Sequence, residues 1–244
     1  MEQNKQRILA NMLAKMSAAA YLKPKEAEVE FKQLGYPKVK YIDYEGAQCY
    51  IVWNVHNIVI CFRGTEETGN DIIADLRVWP INSKKGRVHK GFVGEVKKIL
   101  DRIEITINQM RHNKKLYITG HSLGGAMATI TASELENVDI LCTFGSPRVG
   151  WSKFIKNIPC QHYRYVNNND IVPSVPPKAF FYTHHGELQY INHYGNIRKM
   201  SLWQRIKDQW RGRMAAFKKK VPFDGIYDHS IKYYIRYTEK NQNV

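Results

Sequence analysis

Residues 116–125 read Leu-Tyr-Ile-Thr-Gly-His-Ser-Leu-Gly-Gly, an apolar run that passes through glycine and serine into a small-residue stretch. Few patterns restrict a chain so strongly. An extended segment must end and a helix must begin within two or three residues, which puts Ser122 at the apex of a sharp turn. Glycines at 120 and 124 remove the side chains that would block the turn. Ala126, Ala128, Thr129, Thr131 and Ala132 then give a helix slim enough to pack closely. A serine held in this way has a strained backbone and an Oγ that projects above a sheet edge at a helix N-terminus. There the amide of Leu123 can donate to a developing oxyanion. G-x-S-x-G also occurs by chance as an ordinary turn; the strand before it and the helix after it favour a nucleophile.

The rest of the chain supplies a sheet for that turn to rise from. Val39–Phe62 reads as a strand meander with turns at 45–46 and 56–57. Val93, Val96, Ile99, Leu100, Ile103, Ile107 and Met110 recur at helical spacing. Lys115–Thr119, Val138–Phe144 and His162–Val166 are strands, Leu123–Leu135 a helix, Glu187–Tyr194 a late strand in a hairpin-like setting, and Ile231–Tyr237 a closing helix or strand. This alternation predicts an α/β chain with a mainly parallel sheet covered by helices on both faces. A length of 244 residues suits a single domain over 1–244.

At the N-terminus Asn11 and Lys15 interrupt an apolar, signal-like run, and Ile8, Met12 and Met16, with Leu9, Leu13 and Ala20, recur at helical spacing. The segment is therefore expected to be an amphipathic helix of the fold rather than a cleaved signal. Cys49, Cys61, Cys142 and Cys160 are placed singly in strands as small apolar residues, without Cys-x-x-Cys spacing, so no metal or redox site is signalled. No stretch approaches the roughly 20 apolar residues needed to span a bilayer.

A nucleophilic serine needs a base and an orienting acid, in the order Ser, Asp or Glu, His for a strand–turn–helix nucleophile. Tyr163–Val166 is followed by the loop Asn167-Asn168-Asn169-Asp170, which places Asp170 where the acid belongs. Asp139, Asp224 and Asp228 compete: Asp139 begins a strand, and the other two crowd the candidate base. Among nine histidines, His229 comes last, just ahead of an aromatic run, where the base is expected. His184, His185 and His193 are read as surface or packing residues, and His121 as pointing away from the turn.

Six blocks in order carry a resemblance: Phe62-Arg63-Gly64-Thr65, Val88-His89-Lys90-Gly91-Phe92, Gly120–Gly125, Phe144–Gly150, Asn169–Pro173 and Asp228-His229-Ser230. Over about residues 38–236 the chain resembles the class 3 (fungal-type) lipases. The resemblance implies an α/β-hydrolase fold, a Ser122–Asp170–His229 triad, and Thr65 beside Leu123 in the oxyanion hole. The competing reading of Thr65 is a cap for a following helix. His89 is structural on this basis, and Arg63 and Arg148 are expected to anchor loops by ion pairs. No metal and no organic cofactor are needed.

Two segments bear on substrate. The resemblance implies that residues 66–79 correspond to an amphipathic lid, with Ile72, Ile73, Leu76 and Trp79 facing lipid; the alternative is that they pack on the core. Residues 198–220 hold nine Lys/Arg and one Asp, +8 of the formal +15. Within them Trp203, Ile206, Trp210, Met214 and Phe217 form one helical face flanked by Arg205, Lys207, Arg211, Arg213 and Lys218. A basic amphipathic helix of this kind suits an anionic membrane surface; the alternative docks the stripe on the protein and leaves the charges in water. Charges and aromatics on opposite faces argue against nucleic acid, which favours interleaving.

The leading expectation is a serine carboxylester hydrolase that cleaves acylglycerol esters at a lipid interface. A phospholipase A1 acting on anionic phospholipid is the alternative, and an inactive lipid-binding hydrolase fold a third reading. A monomer in the cytoplasm or at the membrane periphery is the default, with export without a cleavable signal still open.

Overall fold

The computed structural model describes residues 2–65, 80–218 and 224–242. The predicted lid residues Ile72, Ile73, Leu76 and Trp79 therefore lie outside the described residues.

The chain starts with helices α1 (Glu2–Ala19) and α2 (Pro24–Gln33). It continues into the expected meander β1 (Lys38–Tyr44), β2 (Ala47–Trp53) and β3 (Asn57–Phe62). The turn between β1 and β2 is Glu45-Gly46, both at positive φ (51° and 83°). That mirror-image turn matches the twist of the flanking strands. A short hairpin, β4 (Pro80–Ser83) and β5 (Gly86–His89), leads to α3 (Lys90–Asn108). Then come β6 (Lys115–His121), α4 (Leu123–Glu134), β7 (Ile140–Phe144), β8 (Gly150–Trp151), α5 (Ser152–Lys156) and β9 (Gln161–Asn167). Last are β10 (Tyr182–Thr183), β11 (Glu187–Ile191), α6 (Leu202–Lys218), α7 (Asp224–Tyr227) and α8 (Ile231–Lys240).

The main sheet has seven strands in the order β1-β2-β3-β6-β7-β9-β11. From β3 onward every neighbour is parallel; β1 and β2 form an antiparallel edge. The late strand is thus a parallel partner of β9 and not half of a hairpin. A segment read alone gives strand character but not the partner across the ladder. Cys160 also differs from expectation: it lies just before β9, half-buried, whereas the other three cysteines sit in strands.

Two-residue alternation sends opposite sides of each strand into two cores. Cys49, Ile51, Ile58, Ile60, Phe62, Leu116 and Ile118 meet the inward faces of α3 (Phe92, Val96, Ile99, Ile103) and α4 (Ala126, Met127, Ile130). Tyr50, Val52, Val59, Cys61, Tyr117, Cys142 and Tyr165 pack against α1, α2 and α8. On α1 the buried side is Ala10, Leu13, Ala14 and Ser17, while Ile8 is exposed. Asn11 does not break the helix. Its amide donates to Ile235 O and Thr238 Oγ1, both at 3.0 Å, tying α1 to α8. A buried polar side chain is tolerated when it is bonded in this way.

Candidate active site

The turn after β6 has the strain the sequence predicts. Ser122 sits at φ 57° and ψ −129°, a region costly for any residue but glycine. The approach it permits is close: a Cβ on Gly120 would lie 2.3 Å from Gly124 C, and one on Gly124 would lie 2.5 Å from Phe62 O. Neither position has room for a side chain, so α4 begins directly against β3 and β6. Ser122 N donates to Phe144 O at 3.0 Å, which fixes the turn against the end of β7. The amide of Leu123, in the first turn of α4, has no intrahelical acceptor. Thr65 and Leu123 line one crevice of about 410 Å³, together with Arg63, Phe92, Lys98 and Met127.

The acid and base come from loops at the same edge of the sheet, Asp170 just after β9 and His229 just before α8. His229 Nδ1 lies 3.0 and 2.9 Å from the two carboxylate oxygens of Asp170, and both residues are buried. Val172 N donates to Asp170 Oδ1 at 3.0 Å. Tyr234, wholly buried in α8, donates its hydroxyl to Asp170 Oδ2 and accepts from Asn167 N at 3.0 Å. Burial holds the Tyr234 phenol well above its ordinary range, so it stays a donor. These two donors, one amide and one hydroxyl, hold the carboxylate in place beside the imidazole.

Gly145, at φ 59°, lets β7 pass this pair: a Cβ there would lie 2.7 Å from Asp170 Oδ2 and 2.9 Å from His229 Nδ1. Among the buried side-chain atoms that lack a hydrogen-bond partner within the described residues are two of this site, Ser122 Oγ and His229 Nε2. A hydroxyl and an imidazole nitrogen left unbonded next to an oriented His–Asp pair are the groups that proton abstraction from serine uses.

The competing acids have other work. Asp139 Oδ2 accepts from Leu116 N at 2.8 Å and ties β6 to the start of β7. Asp228 accepts from Asn169 N at 3.0 Å through Oδ2 and from Asn167 Nδ2 at 3.0 Å through its carbonyl, so it braces the loop that carries Asp170. His89 caps α3, accepting from Phe92 N, and stacks on Phe92 at 3.9 Å between ring centroids. Arg148 departs from the predicted ion pair. Its guanidinium donates to the carbonyls of Ser174 and Pro176.

Sequence reasoning missed His121. Its Nε2 is 2.6 Å from the carbonyl oxygen of His229, and its Nδ1 is 2.9 Å from Tyr21 Oη. Burial and the neighbouring His229 push its pKa well below the ordinary histidine value, so the ring is neutral. The carbonyl accepts Nε2–H, leaving Nδ1 to accept from Tyr21. The side chain thus holds the backbone of the base.

Helix α6 also corrects the reading of 198–220. Its inward side is Arg205, Asp208, Gln209 and Gly212, and the aromatic stripe does not dock. Trp203 is 74% exposed, Trp210 65% and Phe217 79%. Arg211 is in solvent, but Arg205 is half-buried rather than flanking the stripe. Helical period shows that a stripe exists; which face docks is set by Asp208, which accepts from Tyr190 Oη at 3.1 Å and His193 N at 2.9 Å.

Residues 59–180 match the profile of the class 3 lipases. The chain is 34% identical over 151 residues to a lipase of Rhizomucor miehei, covering 55% of this chain and 41% of that protein. It is 35% identical over 146 residues to a secreted mono- and diacylglycerol lipase of Fusarium solani, covering 52% and 41%. It therefore spans less than half the length of these curated relatives. Among solved structures, a triacylglycerol lipase whose catalytic centre is a serine protease triad superposes with a TM-score of 0.62 at 27% identity, covering 75% of this chain and 79% of that one. The fold is the α/β-hydrolase fold.

Proposed function

The chain belongs to the class 3 (fungal-type) lipase family, and on that premise we propose that it is a serine carboxylester hydrolase cleaving acylglycerol esters at a lipid surface. His229 Nε2 takes the proton of Ser122 Oγ while Asp170 holds the imidazole. The oxygen attacks the ester carbonyl, and the amides of Leu123 and Thr65 receive the negative charge. The imidazolium then protonates the departing alcohol, leaving an acyl-serine. Water, deprotonated by the same imidazole, releases the fatty acid. Loss of one oxyanion donor costs about 10²–10³ in turnover.

The observation that carries this reading is the pair of unbonded buried atoms, Ser122 Oγ and His229 Nε2, next to the bonded His229–Asp170 pair. The test is fatty acid release from dioleoylglycerol and triolein emulsions, with Ser122→Ala as control. Release by wild type and none by the variant is expected. Equal release by both, or none by either, sinks the reading.

The exposed stripe of α6 favours a second reading of the substrate. Its aromatic side beside Lys207, Arg211, Arg213 and Lys218 suits the headgroup region of an anionic membrane. On that reading the ester belongs to a phospholipid, as for a phospholipase A1. Phosphatidylglycerol turnover that exceeds triolein turnover and collapses at high salt selects it.

A further inference from the structure

Beneath α6 lies a group of cationic side chains that the hydrolase mechanism does not use. Arg164 projects from β9 on the side opposite Tyr163 and Tyr165, and only 9% of it is exposed. Arg148 reaches the same region from the loop before β8, and Arg205 from the inward face of α6. Burial above all, and then the charges of Arg148 and Arg205, lower Arg164 from 12.5 to about 10. His184 and His185 feel the same positive field, which helps keep both rings neutral.

No acid answers these charges. Among the described residues the side chains of Arg164 and Arg205 make no hydrogen bond and no ion pair, and the Nε of each of the three arginines is buried without a partner. Arg148 satisfies only Nη1, on the carbonyls of Ser174 and Pro176. Asp208, the one acid of α6, is held by Tyr190 and His193.

A guanidinium keeps its proton at physiological pH even when its pKa is lowered to this extent, so the charge cannot be shed. Buried positive charge that lacks a partner is strongly unfavourable. Arg164 is such a charge, and Arg148 and Arg205 add to it rather than neutralise it, so the group calls for an anion from outside the chain. A carboxylate is planar and fits one guanidinium fork. A tetrahedral dianion offers oxygens in several directions and more than one charge, which suits donors arriving from β9, a loop and a helix.

We propose that Arg148, Arg164 and Arg205 form a binding site for a phosphate-type oxyanion beneath α6. The ligand is inorganic phosphate or the phosphate of a lipid headgroup, which share this chemistry. The site does not depend on the hydrolase reading.

The test is thermal melting of the full chain in sodium phosphate against sodium chloride at matched ionic strength, for wild type, Arg164→Gln and Arg205→Gln. Wild type is expected to melt roughly 3–6 °C higher at phosphate ten times half-saturation, and to saturate. Both variants lose that response, and Arg164→Gln melts higher than wild type in chloride because a buried repulsion is relieved. Phosphate also stabilises proteins non-specifically by exclusion from their surfaces. An equal, non-saturating rise in all three proteins therefore overturns the site, as does no rise in wild type. If Arg164→Gln fails to fold, Arg205→Gln decides. Cosedimentation with phosphatidylglycerol vesicles identifies the source. Weaker binding of Arg164→Gln by about fivefold or more supports the headgroup as ligand, and unchanged binding with the melting response intact supports free phosphate. Neither readout needs ester turnover, so hydrolase activity and the anion site can fail separately.

Discussion

His121 Nε2 lies 2.6 Å from the carbonyl oxygen of His229, so the residue beside the candidate nucleophile holds the backbone of the candidate base. The two imidazoles lie tilted at 31° with 4.5 Å between centroids, and Tyr21, just past α1, fixes the far side of the His121 ring. The link spans 108 residues of sequence and joins both halves of the site.

His121→Phe keeps most of the volume and removes the donor. The buried carbonyl of His229 then loses its donor, which costs about 1–3 kcal/mol. The loosened base lowers kcat by roughly tenfold or more. Urea unfolding and kcat on one ester measure the two effects; unchanged turnover removes His121 from the positioning of His229.

Gly145→Ala tests the passage of β7 under the triad. A methyl group there meets Asp170 Oδ2 at 2.7 Å and His229 Nδ1 at 2.9 Å, on a backbone at φ 59°. Left-handed alanine alone costs about 1–2 kcal/mol. Displacing the His–Asp pair by a fraction of an ångström should lower kcat about 10²-fold with KM little changed. A fully active variant contradicts the described packing.

Stability should fall in mild acid. His121 and His162 are buried, and burial holds both well below the ordinary value of 6.5. Each neighbouring imidazole, His229 and His185 respectively, adds to the lowering. The unfolded chain therefore takes up protons first. Stability from these groups is complete above about pH 6.5 and declines as pH drops below it, by up to about 1.4 kcal/mol per pH unit for each histidine. Urea midpoints from pH 8 to pH 5 report it; a flat profile contradicts it.

The α6 stripe offers a prediction in which lipid binding and folding separate. Trp203→Ser with Trp210→Ser removes two side chains that are mostly in solvent. Unfolding free energy should change by no more than about 0.5 kcal/mol per site. Binding to phosphatidylglycerol vesicles should fall tenfold or more. A large loss of stability with unchanged vesicle binding reverses the assignment of that face.

The parts legible in the sequence are those dictated by neighbours along the chain. The turn at Ser122 is local: Gly120 and Gly124 are required by the close approach of α4 to β3 and β6, and both are visible in the pattern. The helices α3 and α4 and the meander β1–β3 follow from their periods in the same way. Asp170 and His229 were legible through order and loop position, and their bonding came only with the fold. The unreadable parts depend on distant partners. Nothing in the period of residues 202–218 indicates that Asp208 and Gly212 face inward while Trp203 and Trp210 stay in water. Gly212 passes so close to Asn168 and Asn169 that a Cβ would lie 2.4 and 2.7 Å from their amide nitrogens, a constraint that appears only when β9 and α6 meet. Arg164 and His121 are polar residues inside strands, and their burial follows from elements more than 40 residues away.

The central claim is that Ser122 is a nucleophile activated by His229. A fluorophosphonate probe, followed by intact-mass and peptide analysis, tests it most directly. Stoichiometric labelling at Ser122 is predicted for wild type, with labelling abolished in Ser122→Ala and slowed at least a hundredfold in His229→Ala. A folded wild-type chain that takes no label, or one labelled equally well without His229, would contradict the account.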